Sequence, residues 1–344
     1  MFYSTSMKVA GTFLLAMLAV QAQQPRFGER VDVARVMVDV RVLDDQGNSV
    51  EGLDAGDFIV RIDGRPARVE SALWTRHAIP ESDDRRADLQ STTLTAGSAA
   101  PGGLVVFLFQ KSLESSRIVG LMRLLIDTTA ILDTVRTSDR VAVLSFDSHL
   151  NIWTDFTTDR ECLRPIFKRG VLLERPPRVE PSPGVSLLAT LSADEARRTY
   201  SIEKSLELIG RALQPLPGVK SVVLVGYGFG RLGPIGVSME NAYGPAVRAL
   251  LAARASIFSL DITRADYHSL EAGLQLVADE TGGFYLSTYR VPSSFALKQL
   301  AGVLAGAYTL FVEKPKGGSS AWHDLDVKLR GRKGTVHAPA GYVE

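Results

Sequence analysis

Between residues 104 and 306, short apolar runs alternate with stretches of helical periodicity, and this alternation limits the fold more than any other feature of the chain. Residues 104–109, LVVFLF, are apolar without a break. A strand of that kind must be covered on both faces, as in the middle of a parallel sheet. Ile118, Leu121, Leu124, Leu125, Ala130 and Leu132 follow at helical spacing. Residues 140–146 repeat the strand pattern, and residues 150–156 read as a hairpin partner at a sheet edge. A short helix is expected over residues 159–167, then an irregular Pro-rich stretch over residues 171–185. Ser192, three residues before Glu195, has capping-box spacing and predicts a helix to about Leu213. Strands at 219–225, 256–261 and 283–288 alternate with helices at 239–254, 268–280 and 293–305. Repeated βα units with apolar strands predict an α/β fold with a doubly wound, mostly parallel sheet.

The flanking segments have a different period. Val36, Val38, Val40 and Val42 alternate with Met37, Asp39 and Arg41, the pattern of a half-buried strand. Phe58 to Ile62 leads into Asp63-Gly64, a tight-hairpin signal, and residues 68–74 form the next strand. At the other end, residues 308–313, 322–329 and 334–338 read as strands separated by Lys/Gly turns. Neither group can bury much core alone. The expectation is a small β-sandwich-like unit built from both ends of the chain. The expected organisation is a signal peptide (1–22), an N-terminal β unit (31–76), a linker rich in small and polar residues (77–103), the α/β domain (104–306) and C-terminal strands (307–344).

The N-terminus carries a targeting signal. Lys8 precedes an apolar run over residues 9–20, and Ala22 follows at a position suited to cleavage. That pattern predicts a secretory signal peptide, and the run is short for a membrane span. An uncleaved N-terminal anchor is the alternative. The mature chain is expected in the periplasm or outside the cell, with no later membrane span. A net charge of +1 gives no global attraction for nucleic acid or an anionic membrane. Cys162 is the single cysteine and excludes an intramolecular disulfide; its surroundings, with Leu163 and Phe167, suggest a small core residue. The five histidines (His77, His149, His268, His323 and His337) are scattered and read as surface or turn residues. No G-x-S-x-G elbow is present, so a hydrolase of that type lacks its nucleophile.

Three stretches carry a family resemblance. Residues 38–64, VDVRVLDDQGNSVEGLDAGDFIVRIDG, look like the opening motif of bacterial secreted proteins with a von Willebrand factor A-related domain, of the acidobacterial type. Residues 139–146, with Asp155 to Asp159, resemble the second strand and third loop of an A domain. The tail, from Trp322-His323-Asp324 to Gly341-Tyr342, is similar to the β ending of the same proteins. The resemblance spans most of the mature chain.

Proteins of this family usually hold Mg²⁺ or Mn²⁺ at the C-terminal edge of the sheet through Asp-x-Ser-x-Ser, a Thr and a second Asp. A hard divalent ion takes oxygen ligands, and the carboxylates offset its charge. Here the resemblance aligns Gln110 with the first Asp, Ser112 with the first Ser, Glu114 with the second Ser, Thr157 with the Thr and Tyr227 with the second Asp. Both carboxylates are absent, and Lys111 adds a positive charge beside the site. This is a degenerate metal site, and no cofactor is expected. Ser112, Glu114 and Thr157 could supply three oxygens for a loosely held Mg²⁺ or Ca²⁺. The alternative is that Glu114 complements the start of a helix capped by Ser112.

The Gly226-Tyr227-Gly228-Phe229-Gly230-Arg231 loop follows a strand but lacks the lysine and spacing of a phosphate-binding loop. Tyr227, Phe229 and Arg231, if exposed, suit a protein interface. The expected function is a non-enzymatic protein-binding or scaffold module, using Gln110, Ser112, Glu114, Thr157, Tyr227, Phe229 and Arg231 without a bridging metal. A metal-dependent adhesion module with a rearranged site is one alternative. An enzyme holding a phosphorylated ligand at the 226–231 loop, without a general base in evidence, is another.

Overall fold

Strand formation follows the apolar runs closely. A computed structural model describes residues 35–76, 102–234, 236–315 and 321–343. The targeting segment and nearly all of the expected linker lie outside the described residues. The first strands are β1 (Arg35–Leu43), β2 (Phe58–Ile62), β3 (Arg65–Ala67) and β4 (Val69–Arg76). The central ones are β5 (Leu104–Gln110), β6 (Arg140–Phe146), β7 (Leu150–Thr157), β8 (Lys220–Gly226), β9 (Arg231–Gly233), β10 (Gly236–Ser238), β11 (Ala255–Asp261) and β12 (Phe284–Ser287). The last are β13 (Gly306–Glu313), β14 (Trp322–Leu329), β15 (Thr335–His337) and β16 (Gly341–Val343). The helices are α1 (Ser115–Ile126), α2 (Thr128–Asp133), α3 (Arg160–Pro165), α4 (Val171–Leu173), α5 (Ala193–Arg197), α6 (Ile202–Leu213), α7 (Tyr243–Ala252), α8 (Glu271–Thr281) and α9 (Ser293–Leu304).

Six strands form the central sheet in the order β12-β11-β8-β5-β6-β7. All neighbours are parallel except β7, which runs antiparallel to β6 at the edge. This is the doubly wound mostly parallel sheet that the apolar runs predict. Alternation along β5 serves two cores. Val106 and Leu108 face a cluster with Leu206, Ile209 and Leu250, while Val105, Phe107 and Phe109 face one with Leu121, Leu125 and Leu300. Every residue of β5, β8 and β11 is buried, which explains the apolar runs at 104–109 and 222–225.

Two four-stranded antiparallel sheets, β15-β1-β13-β4 and β16-β14-β2-β3, form the sandwich-like unit from the two ends of the chain. Val40, Val60, Tyr308, Leu310 and Val327 share one core between them. Asp63 (φ 51°) and Gly64 (φ 74°) both adopt positive φ, the turn that an Asp-Gly pair favours. The described residues all belong to one compact unit. Arg41 of β1 is fully buried against the central sheet. Its guanidinium donates to the Val303 carbonyl at 3.1 Å, to Ser256 Oγ at 2.7 Å and to Ser221 Oγ at 3.0 Å, and stacks on Phe258. Burial pulls its pKa down to about 10, with Asp39 opposing the shift.

Several helices differ from expectation because short polar side chains compete for backbone groups. The helix expected from Ser192 to Leu213 is broken into α5 and α6. Between them the Thr199 hydroxyl donates to the Ala196 carbonyl and accepts the Leu150 N–H at 3.3 Å, and Ser201 caps a new helix. The helical stretch after β5 divides at Asp127, whose side chain caps α2. Arg231–Gly233 and Gly236–Ser238 pair antiparallel as β9 and β10, and the next helix starts at Tyr243 rather than 239. The stretch expected to be irregular from Val171 opens with the short α4, which follows a wide turn at Ile166–Gly170, and residues 174–185 are irregular as expected. Cys162 is exposed, contrary to the core position expected, because Leu163 and Phe167 take the inward face. His323, expected at the surface, is buried and bonds Asp63 through Nδ1 at 2.7 Å.

Candidate functional site

The C-terminal ends of the parallel strands form one edge of the sheet, where doubly wound folds place ligand sites. Gln110 ends β5 there and is buried. Its Oε1 accepts the Tyr227 N–H at 3.1 Å, and its Nε2 donates to the Gly228 carbonyl at 2.8 Å. One neutral amide therefore satisfies both backbone groups of the loop after β8. One glycine makes room for this contact, and a second lets the loop pass close to Leu270. A Cβ on Gly226 would stand 2.5 Å from Gln110 Oε1. Gly228 has φ +102°, and a Cβ there would stand 2.2 Å from the Leu270 carbonyl oxygen.

Glu114, not Ser112, is the N-cap of α1. Ser112 Oγ accepts the Glu114 N–H at 3.2 Å, one step before the helix. The Glu114 carboxylate turns to neighbouring side chains: Ser116 Oγ donates to it at 2.8 Å and Arg117 Nε lies 3.0 Å away. Arg117 in turn stacks 4.1 Å from the Tyr227 ring centroid. Burial raises the Tyr227 pKa, and the Arg117 charge opposes the rise. Glu114, Arg117 and Tyr227 thus form one packed stack.

Thr157 does not belong to this edge. β7 runs antiparallel, so Thr157 pairs with Val141 while Phe146 pairs with Gln110. Five residues of strand separate the two levels, roughly 17 Å at the usual rise. Thr157 Oγ1 accepts the Asp159 N–H at 3.0 Å, and the Asp159 carboxylate caps α3. The threonine matched by motif order therefore sits at the opposite end of the sheet, and with it goes the three-oxygen set of Ser112, Glu114 and Thr157. Phe229, expected among the interface residues, does not meet the condition of exposure. It is 4% exposed and packs 6.3 Å from Tyr243, under Gly273. Arg231 is exposed and pairs with Glu240 at 3.1 Å.

An open crevice of about 550 Å³ lies between the β5–α1 and β6–β7 connections, lined by Lys111, Ser112, Leu113, Asp147, Leu172 and Tyr227 among others. The connections at this edge display large apolar side chains. Leu113 is 94% exposed, Tyr267 77% and Leu232 63%.

A second constellation at the same edge had no counterpart in the sequence reading. Asp261 ends β11, in register with Gly226 of β8. Its Oδ1 accepts the Thr263 N–H at 2.8 Å, and its Oδ2 lies 2.8 Å from His268 Nε2 and 2.8 Å from the Tyr285 hydroxyl. Tyr285 Oη is also 3.0 Å from Glu271 Oε2, and Arg290 Nη2 reaches both Tyr285 Oη (2.8 Å) and Glu271 Oε2 (3.2 Å). Burial by itself would raise the Asp261 pKa, but hydrogen bonds from His268, Thr263 and Tyr285 hold it below the usual value. Burial and the two carboxylates push the Tyr285 phenol up. The signals available were an acidic residue closing an apolar strand and a His-x-x-Glu spacing at 268–271. They were missed because the remaining members come from β12 and the turn after it.

No protein-family model matches the sequence, and no curated protein does. Comparison with solved structures finds similarity at low identity and with TM-scores below 0.5. A von Willebrand factor type A protein from Catenulispora acidiphila is 12% identical, covering 86% of this chain and 75% of its own, with a TM-score of 0.42. An aerotolerance-related membrane protein from Bacteroides fragilis is 15% identical over 59% of this chain and 98% of its own, with a TM-score of 0.39. BatB from Bacteroides thetaiotaomicron is 17% identical over 59% and 99%, with a TM-score of 0.38.

Proposed function

We propose that this chain is an exported protein-binding module that works from the upper edge of its von Willebrand factor A-like domain, without a bridging cation. The observation that carries the reading is the Gln110 carboxamide. It stands where the family motif places its first carboxylate, and both its polar atoms are engaged by the Tyr227–Gly228 backbone. A neutral, buried amide whose oxygen already accepts a backbone N–H is a poor ligand for a hard divalent ion.

Two further features support recognition by contact. The crevice beside Tyr227 combines apolar walls with Lys111 and Asp147. Leu113, which lines it, and Leu232 and Tyr267 on other connections are large exposed side chains of the kind that anchor interfaces. The metal-dependent alternative is disfavoured because Glu114 is held by Ser116 and Arg117, and Thr157 lies at the other end of the sheet. Export rests on Lys8 and the apolar run before Ala22. Among the described residues, no helix is long and apolar enough to cross a membrane.

Site-specific photocrosslinking tests the surface. A photoreactive residue at position 113 should capture a protein from the envelope fraction, while the same residue at position 157 should not. Equal capture at both positions, or capture at 157 alone, would refute the assignment of this edge.

A further inference from the structure

Asp261, His268 and Glu271 reach one point from three places: the end of β11, the loop after it and the first turn of α8. Their ligand atoms all lie within 4.8 Å of one another. Asp261 is buried, and His268 and Glu271 are largely so. The proton count at the centre is unusual. Tyr285 Oη contacts Asp261 Oδ2 and Glu271 Oε2 at 2.8 and 3.0 Å, yet a phenol carries one proton. With both carboxylates ionised, one of these oxygen pairs faces across the gap with no hydrogen between. Nearby, the Thr263 hydroxyl is buried without a partner. With a neutral imidazole, two carboxylates face one guanidinium, and the group is one positive charge short.

We propose that Asp261, His268 and Glu271 form a binding site for a divalent transition metal of the zinc type. One imidazole nitrogen and two carboxylate oxygens are donors that zinc accepts, and three protein ligands plus a water complete a tetrahedral shell. Zn–N and Zn–O bonds of about 2.0–2.2 Å place neighbouring ligands some 3.5 Å apart, so the His268–Asp261 contact at 2.8 Å opens slightly when the ion enters. Asp261 Oδ1 remains fixed by the Thr263 N–H, which orients the carboxylate. Tyr285 becomes a donor to one ligating carboxylate.

Arg290 is the competing cation. Its guanidinium holds Glu271 and Tyr285, and it also lies 5.3 Å from the ring of the exposed Tyr267. Metal entry releases it toward that ring. This site is separate from the Gln110 position, two strands away across β8, and does not depend on the binding reading above.

The test uses the full chain, stripped with chelator and titrated with Zn²⁺ alone by calorimetry, with Co²⁺ absorption as a spectroscopic probe of coordination. One zinc per chain is expected, with tetrahedral cobalt bands. His268→Ala and Glu271→Gln should each weaken binding by more than about tenfold. Arg290→Gln should tighten it, because the internal competitor is gone. This last variant and the cobalt spectrum keep the test decisive even if His268→Ala fails to fold. Absence of zinc binding in the wild-type chain would overturn the proposal. So would unchanged affinity in Glu271→Gln, or weaker affinity in Arg290→Gln.

Discussion

Gln110 Oε1 accepts the backbone N–H of Tyr227 at 3.1 Å, and this contact joins the end of β5 to the loop after β8. The same side chain donates to the Gly228 carbonyl, so its orientation is fixed at both ends. Gln110→Glu keeps the acceptor but sets a carboxylate oxygen against a carbonyl. The unfolding free energy should drop by about 2 kcal/mol or more, and added Mg²⁺ should not restore it. Denaturant unfolding with and without Mg²⁺ checks both parts.

Gly226→Ala meets the same amide from the other side, with a Cβ 2.5 Å from Gln110 Oε1. A loss of about 1–3 kcal/mol is expected for such crowding. The double variant with Gln110→Ala should cost less than the sum of the single changes, because each removes the other's clash or contact. Additive losses would show that the crowding lies elsewhere.

Arg41 ties β1 to the lower ends of β8 and β11 through Ser221 and Ser256. Arg41→Met leaves those hydroxyls and the Val303 carbonyl without their donor, for a loss of about 3 kcal/mol. Arg41→Lys should not recover most of it, since an ammonium cannot reproduce the planar fork that reaches three acceptors. Thermal unfolding of the two variants beside the parent makes the comparison.

Lys220 opens β8 and is buried; burial and the neighbouring Arg254 lower its pKa to about 8, against an opposing pull from Asp39. The unfolded chain holds that proton to about pH 10.5. Between these values the unfolded state binds more protons, so stability should rise with pH across that window. The slope integrates to on the order of 3 kcal/mol. Lys220→Met should remove the slope and stabilise the protein at neutral pH, as read from unfolding midpoints between pH 7 and 10.

Much of the fold was legible because buried parallel strands write themselves as unbroken apolar runs, as in Leu104 to Phe109. The Asp63-Gly64 turn was equally direct, since few pairs accept two positive φ values. Helix ends were less so. Thr199 and Asp127 interrupt helices through side-chain hydrogen bonds whose partners are set only by tertiary contact. At the site, motif order correctly brought Gln110 and Tyr227 together but misplaced Thr157, because matching by sequence ignores that β7 reverses direction. Phe229 looked like an interface residue and is a core residue; nothing in a Gly-rich loop says which way its aromatic points. The Asp261, His268 and Glu271 group stayed hidden because its members gain meaning only when β11, α8 and β12 meet.

Partner capture measured in chelator against capture with Mg²⁺ or Mn²⁺ added back tests the central claim most directly. Running it on the His268→Ala chain keeps the Asp261 group from contributing. Equal capture in both conditions, lost on Tyr227→Ala and retained on Thr157→Ala and Glu114→Ala, is the expected result. Capture that requires Mg²⁺ or Mn²⁺ and disappears with Glu114→Ala would contradict recognition without a bridging metal.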